Sequence, residues 1–198
     1  MINLENLDNS KPYQRFFELY KAALDTKQHS IEAIAISSYD QEKDLVDSRF
    51  VNLKFIKNNE WTFFSNYESP KAFAFKTHEQ ISILIYWNKI NVQIRMRANI
   101  WQSDDAFSNL HFLTRDNKKN AIAISSMQSK PVESYKEVKA NFLETLNHGN
   151  LQKRPNYWGG FSFKPYYFEF WEGHSSRLNK REVYEKNNND WHCSILQP

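Results

Sequence analysis

The chain has 198 residues, 26 of them Lys or Arg and 23 Asp or Glu, for a formal net charge of +3. That length suits a single domain over 1–198 with a real core, and so small a cationic excess does not announce a nucleic-acid surface, although it favours small anionic ligands in a focused pocket. No apolar run approaches a membrane span, since the longest, ISILIYW at 81–87, is strand-sized.

In chain order, KPYQRFFELYKAALDTK at 11–27 places Tyr13, Phe16, Phe17, Tyr20, Ala23 and Leu24 on one helical stripe, with Ser10 as N-cap and Pro12 in the first turn. Period-two segments at 33–39, 48–57, 60–65, 81–87 and 92–101 predict short strands with tight links, the pattern of an antiparallel barrel. Between them Ser69 and Pro70 open a further helix. Three helices follow: 103–113 capped by Ser103, 117–126, and 131–147 introduced by Pro131. Strands resume at 161–171, 181–184 and 191–198, and NHGNLQKRPNYWGG at 147–160 is the one candidate loop.

All four glycines lie late, at Gly149, Gly159, Gly160 and Gly173, so the first 148 residues offer no backbone cradle for a phosphate. A P-loop and a dinucleotide fingerprint are both excluded, and any phosphate must be held by side chains and helix ends. His29, His78, His111, His148, His174 and His192 show no paired ligand spacing, so no metal is expected. Cys193 is the only cysteine, and MINLENLDNSK lacks an export pattern; a reducing cytoplasm is the expected setting.

Several polar groupings invite a ligand, each beside a plainer reading. On strand parity Arg49, Val51, Leu53 and Phe55 share one face and Phe50, Asn52, Lys54 and Ile56 the other, with no local acid for either cation; a solvated strand explains this equally well. Lys71 sits in a first helical turn, where a cation opposes the helix dipole unless an anion also binds. Gln93, Arg95 and Arg97 alternate onto one side of their strand, which suits either a site or an exposed polar face. Gln128 and Ser129 follow a helix, as loop hydrogen bonders or ligands, and Trp171 fits a core as readily as a site. Arg177, Asn179 and Arg181 are spaced two apart in a segment read as strand, which puts two guanidiniums and an amide on one face.

The ordered set SRFVNLK, FFSNYESPK, WNKINVQIR, SSMQS, RPNYWGGFSFKPYYFEFWEG and RLNKR resembles the pyridoxamine 5′-phosphate oxidase family from about residue 12 to the end. That resemblance implies a mainly β, α+β fold: an FMN-binding split β-barrel, Greek-key-like and antiparallel, with peripheral helices. It also implies a homodimer with FMN at the subunit interface, a C-terminal segment from about 156 to 198 serving both dimer and active site, and oxidation of a phosphorylated B6 vitamer by oxygen. The matching FMN positions are Arg49, Phe50, Val51, Asn52, Leu53, Lys54, Phe64, Ser65, Lys71, Gln93, Gln128, Ser129, Trp171 and Arg181. The matching substrate positions are Lys54, His111, Arg115, Lys119, Arg177 and Asn179, the last two also catalytic, with Arg177 covering the substrate ring.

Departures fall mostly on the substrate side. His111 stands where the family usually has tyrosine, Lys119 where it has serine, and Asn179 where its Arg-Leu-His motif has histidine. Asparagine hydrogen-bonds but exchanges no proton near neutral pH. Pro70 and Val92 replace frequent family arginines. The alternatives are an FMN oxidoreductase of the same family with another substrate, as in phenazine biosynthesis, a non-catalytic flavin or B6 binder, and a small nucleic-acid-binding barrel, the last with no account of the ordered motifs.

Overall fold

In the computed structural model, which describes residues 1–188 and 190–198, the alternating segments form strands and the 3.6-period segments form helices, nine and five among the described residues. The strands are β1 (Asn3–Glu5), β2 (Ala33–Asp40), β3 (Leu45–Lys57), β4 (Glu60–Asn66), β5 (Gln80–Trp87), β6 (Val92–Gln102), β7 (Trp158–Glu172), β8 (Lys180–Asn187) and β9 (Asp190–Leu196). The helices are α1 (Lys11–Asp25), α2 (Pro70–Thr77), α3 (Asp105–Thr114), α4 (Asn117–Ser125) and α5 (Tyr135–His148).

The sheet closes on itself. Antiparallel pairings run from β3 to β2, β5, β6, β7, β4 and back to β3. Closure works because β3 and β7 are long, 13 and 15 residues, and change neighbours along their length. Residues 45–52 of β3 pair with β2, and its far end pairs with β4. In β7, 158–163 face β4, whereas 167–172 face β8, which carries β9 outward as an extension. The expected barrel is therefore present, split where β7 leaves β4 for β8.

Two bulges shape it. On β3, Leu53 opposes Phe63 and Phe55 opposes Thr62, so Lys54 is the extra residue and the alternation resets there. On β7, Arg97 of β6 opposes Tyr167 while Ala98 opposes Pro165; the irregularity accommodates a proline that has no N–H for the ladder. Inside the barrel, inward side chains meet α1: Phe16, fully buried, lies 4.5 Å from the Trp61 ring, 5.7 Å from Trp87 and 6.0 Å from Tyr20. No helix among the described residues is long and apolar enough to cross a membrane.

Several boundaries differ from the sequence expectation. Asp104, not Ser103, caps α3, its carboxylate accepting from the amides of Ala106 at 2.7 Å and Phe107 at 3.3 Å. Ser103 is instead buried against Ser162, 2.8 Å away. Helix α5 starts at Tyr135 behind a Ser134 cap, because Pro131 lies in the preceding loop. Strand β7 begins at Trp158, inside the expected loop, since Gly159 and Gly160 let the backbone approach so closely that a Cβ at either would strike Tyr67 or Ser103. The parallel strand β1 had no signal in its three residues. The strand read through 177–181 starts only at Lys180; Arg177 lies in a turn with φ 65°, so Arg177, Asn179 and Arg181 do not share a strand face.

Truncating Phe16 to Ala removes the aromatic hub between α1 and the barrel and is expected to cost about 3–5 kcal/mol. Urea titration of wild type and Phe16→Ala measures it; a loss under about 1 kcal/mol contradicts the packing described.

Candidate active site

The bulge in β3, the end of β4 and the first turn of α2 meet helices α3 and α4 around a cavity of about 370 Å³. Phe50, Val51, Asn52 and Lys54 reach it from β3, Phe64 and Ser65 from β4, Lys71 from α2, and His111, Arg115, Lys119 and Gln128 from the helical side. All of these were put forward from the sequence; Trp158 completes the lining and was not. Among the described residues the cavity wall contains four cationic side chains, Lys54, Lys71, Arg115 and Lys119, and no carboxylate.

Lys71 is the centre of one end. It is only 8% exposed, and its Nζ donates to Ser65 Oγ and Ser69 Oγ, each at 3.2 Å, and to Gln128 Oε1 at 3.3 Å. Gln128 Oε1 also accepts from Ser65 Oγ at 3.1 Å. Ser69 has N-cap backbone geometry but makes no side-chain cap; its hydroxyl donates to Asn66 O at 2.7 Å and accepts from the lysine. All these acceptors are neutral. Burial, followed by the nearby Arg49 guanidinium, brings Lys71 from the ordinary 10.5 down to about 8, with Asp47 opposing. Arg49, expected to lack an acid, pairs with Asp47 at 3.0 Å and donates to Ser38 Oγ at 2.8 Å, because the strand places Asp47 on its own side two residues away.

At the other end Lys54, Arg115 and Lys119 face one another. Burial holds Lys54 below its ordinary value; Glu32 opposes, and Lys119 and Arg115 reinforce. Burial also lowers Arg115 to about 10. Its guanidinium lies 4.2 Å from the Trp158 ring centre, Nη2 donates to Lys119 O at 3.2 Å, and Nη1 is buried without a partner. His111 stacks on Phe64 with centroids 3.9 Å apart and meets Phe55 edge-on at 5.2 Å. Burial, then Arg115 and Lys54, lower His111 to about 4, so it is a neutral imidazole at physiological pH.

The remaining expected residues lie elsewhere on the chain. Leu53 is fully buried in the core and is not part of the cavity wall. Ser129, with φ 68°, lines a separate cavity between α4 and α5. Gln93, Trp171 and Arg181 form a cross-strand row on the outer face of β6, β7 and β8, with Gln93 opposite Trp171 and Trp171 opposite Arg181. Beyond that row, residues 173–179 make a compact turn in which Asn179 Oδ1 accepts from the His174 amide at 3.0 Å, and the Arg177 amide donates to His174 O at 3.0 Å. Glu172 and Lys180, 3.4 Å apart, close the base of the turn, and Arg15 of α1 reaches Glu172 at 2.6 Å.

Sequence reasoning missed Trp158 and Glu169. Trp158 lies nearly parallel to Phe64, at 14° and 5.3 Å, extending the aromatic floor under His111. Its signal was the aromatic residue just before Gly159 and Gly160.

A family model described as the pyridoxine 5′-phosphate oxidase C-terminal dimerisation region matches residues 158–198. Among curated proteins, the chain is 31% identical over 179 residues to a pyridoxine/pyridoxamine 5′-phosphate oxidase of Roseobacter denitrificans, covering 89% of each chain. It is 29% identical over 189 residues to the enzyme of that name from Myxococcus xanthus, covering 94% of this chain and 91% of the relative. Among solved structures, PhzG from Burkholderia lata in complex with tetrahydrophenazine-1-carboxylic acid superposes with a TM-score of 0.90 at 24% identity, over 96% of this chain and 93% of that one. A pyridoxamine 5′-phosphate oxidase-related, FMN-binding protein from Nostoc punctiforme gives 0.77 at 13% identity, over 96% and 99%. These likenesses agree with the split barrel traced above.

The Lys71 shift has two consequences of defined sign. Between about pH 8 and 10.5 the folded chain binds fewer protons than the unfolded one, so this group makes stability rise with pH through that window and imposes its full penalty below it. Lys71→Met is therefore expected to be more stable than ligand-free wild type at pH 7 and to lose that advantage by pH 10.5, measured by urea titration at both. An anion at Lys71 favours its protonated form, so inorganic phosphate is expected to bind more weakly as pH rises above about 8.

Proposed function

Because the chain belongs to the pyridoxine/pyridoxamine 5′-phosphate oxidase family, we propose that it is an FMN-dependent oxidase converting pyridoxamine or pyridoxine 5′-phosphate to pyridoxal 5′-phosphate, with oxygen as acceptor, and that it works as a homodimer. The observation that carries this reading is the cavity wall, with four cationic side chains and, among the described residues, no acid. Cations gathered in one partly buried cavity repel one another, and a polyanionic ligand relieves that repulsion.

The donor set fits FMN and a phosphorylated substrate. The three N–H groups of Lys71 engage only neutral oxygens, which an anion can displace, and Arg115 Nη1 has no partner, so each end of the cavity has a cation able to take an anion. Lys71, Ser65 and Gln128, with Arg49 beside them, would hold the cofactor phosphate; Lys54, Arg115 and Lys119 would grip the substrate phosphate, and neutral His111 would add one N–H. Bound FMN would supply the two-electron acceptor that these side chains lack. Arg177, lifted out of the strand by its turn, would lie over the substrate ring, with Asn179 fixing the turn. In the dimer, Gln93, Trp171 and Arg181 of one protomer would face the cavity of its partner. The match of 158–198 to a dimerisation region supports that arrangement.

A second reading, an oxidoreductase of the same family with a different anionic substrate, draws on Asn179. Its oxygen is committed to the His174 amide, and it has no proton to exchange.

The test is a visible spectrum of FMN-loaded protein before and after pyridoxine or pyridoxamine 5′-phosphate is added without air. Loss of the flavin absorbance supports the oxidase. A loaded protein that neither vitamer phosphate bleaches but another anionic alcohol or amine does supports the second reading, and a protein that takes up no FMN overturns both. Lys119→Ala is expected to raise KM for the phosphorylated substrate about tenfold with kcat little changed, since it removes binding common to ground and transition states; steady-state kinetics check it.

A further inference from the structure

Glu169 lies on the middle of β7 between Phe168 and Phe170, which point into the barrel, while its own carboxylate is on the outer sheet face. It is 1% exposed. Oε1 accepts from Arg181 Nε at 2.9 Å and lies 2.9 Å from Arg181 Nη2. Oε2 accepts from Arg95 Nη1 at 2.9 Å and from the Tyr167 hydroxyl at 3.0 Å. Arg181 Nη1 donates to Gln197 O at 3.0 Å. Arg181 is thus held along the Nε–Nη2 edge and at one point on Nη1, with the row of Trp171 and Gln93 beside it.

Stability alone does not account for such a cluster, because exchanging buried ion pairs for apolar groups is often neutral or favourable. What one carboxylate shared by two guanidiniums does secure is direction. A long side chain that would otherwise sample many rotamers is ordered before any ligand arrives, so binding does not have to supply that entropy.

We propose that Glu169 is a positioning residue for the cofactor site: it orients Arg181 so that the guanidinium N–H groups left free by the carboxylate and Gln197 meet FMN. This rests on the functional reading above.

The experiment is a double-mutant cycle on the full-length protein with Glu169→Gln, Arg181→Ala and the pair, read by quenching of FMN fluorescence on binding, together with far-UV circular dichroism of each flavin-free variant. The expected result is FMN affinity about tenfold weaker for Glu169→Gln, with no further loss when it is added to Arg181→Ala, and unchanged dichroism. If Glu169→Gln does not fold, Glu169→Leu, which removes the buried carboxylate without adding a polar group, takes its place in the cycle. Wild-type affinity in the folded Glu169 variant, or an equal loss in the wild-type and Arg181→Ala backgrounds, overturns the assignment. Wild-type protein that refuses FMN overturns the functional reading, and this assignment with it.

Discussion

A buried ammonium hydrogen-bonded only to neutral oxygens is the constraint around which the molecule is organised. Lys71 is held by Ser65, Ser69 and Gln128, which come from the end of β4, the turn into α2 and the loop after α4. Each can solvate the cation in part and none can neutralise it. With Arg49 close by, and Asp47 offsetting it only in part, the region keeps electrostatic repulsion that a bound anion would relieve, which links the architecture of the barrel mouth to the chemistry of what enters it. The first three-quarters of the chain, without a glycine, leaves phosphate binding there to side chains and helix ends.

Phe64, Ser65, His111, Arg115 and Lys119 were legible only through the family resemblance, whereas a few other cavity residues also stood out as types that packing does not demand. A lysine in a helical first turn and a glutamine after a helix are poor core formers, and both line the cavity. Geometry that depends on local irregularity was not legible. Simple alternation set Lys54 and Arg49 on opposite faces, but the bulge between Leu53 and Phe55 is specified by pairing with β4 and leaves no mark in the sequence of β3 alone. Arg177, Asn179 and Arg181 looked like one strand face because their spacing of two is as compatible with a turn as with a ladder; what decided it was a left-handed backbone at Arg177 and the side chain of Asn179 closing the turn. Glu169 escaped notice because a charged residue amid YYFEFW gives no hint of which cations meet it across the sheet.

The two groups of expected ligands, cavity and outer sheet row, differ in physical character. The four cavity cations have no carboxylate in the cavity wall, whereas Arg181 and Arg95 share the buried Glu169 in direct ion pairs. One set is poised by frustration and the other by rigidity. A site assembled from both gains its affinity from relieving repulsion in the first and its orientation from the stiffness of the second.

Ring closure sets Trp61 of β4 opposite Phe163 of β7, so the wall carrying Phe64, Ser65 and Lys71 is synthesised long before the strand that completes it. Until the ribosome has released that strand, β4 has one unpaired edge and the aromatic interior of the half-built barrel stays wet, a nascent intermediate open to sticking to its like. The cavity wall is therefore complete late and all at once, when the C-terminal quarter of the polypeptide docks.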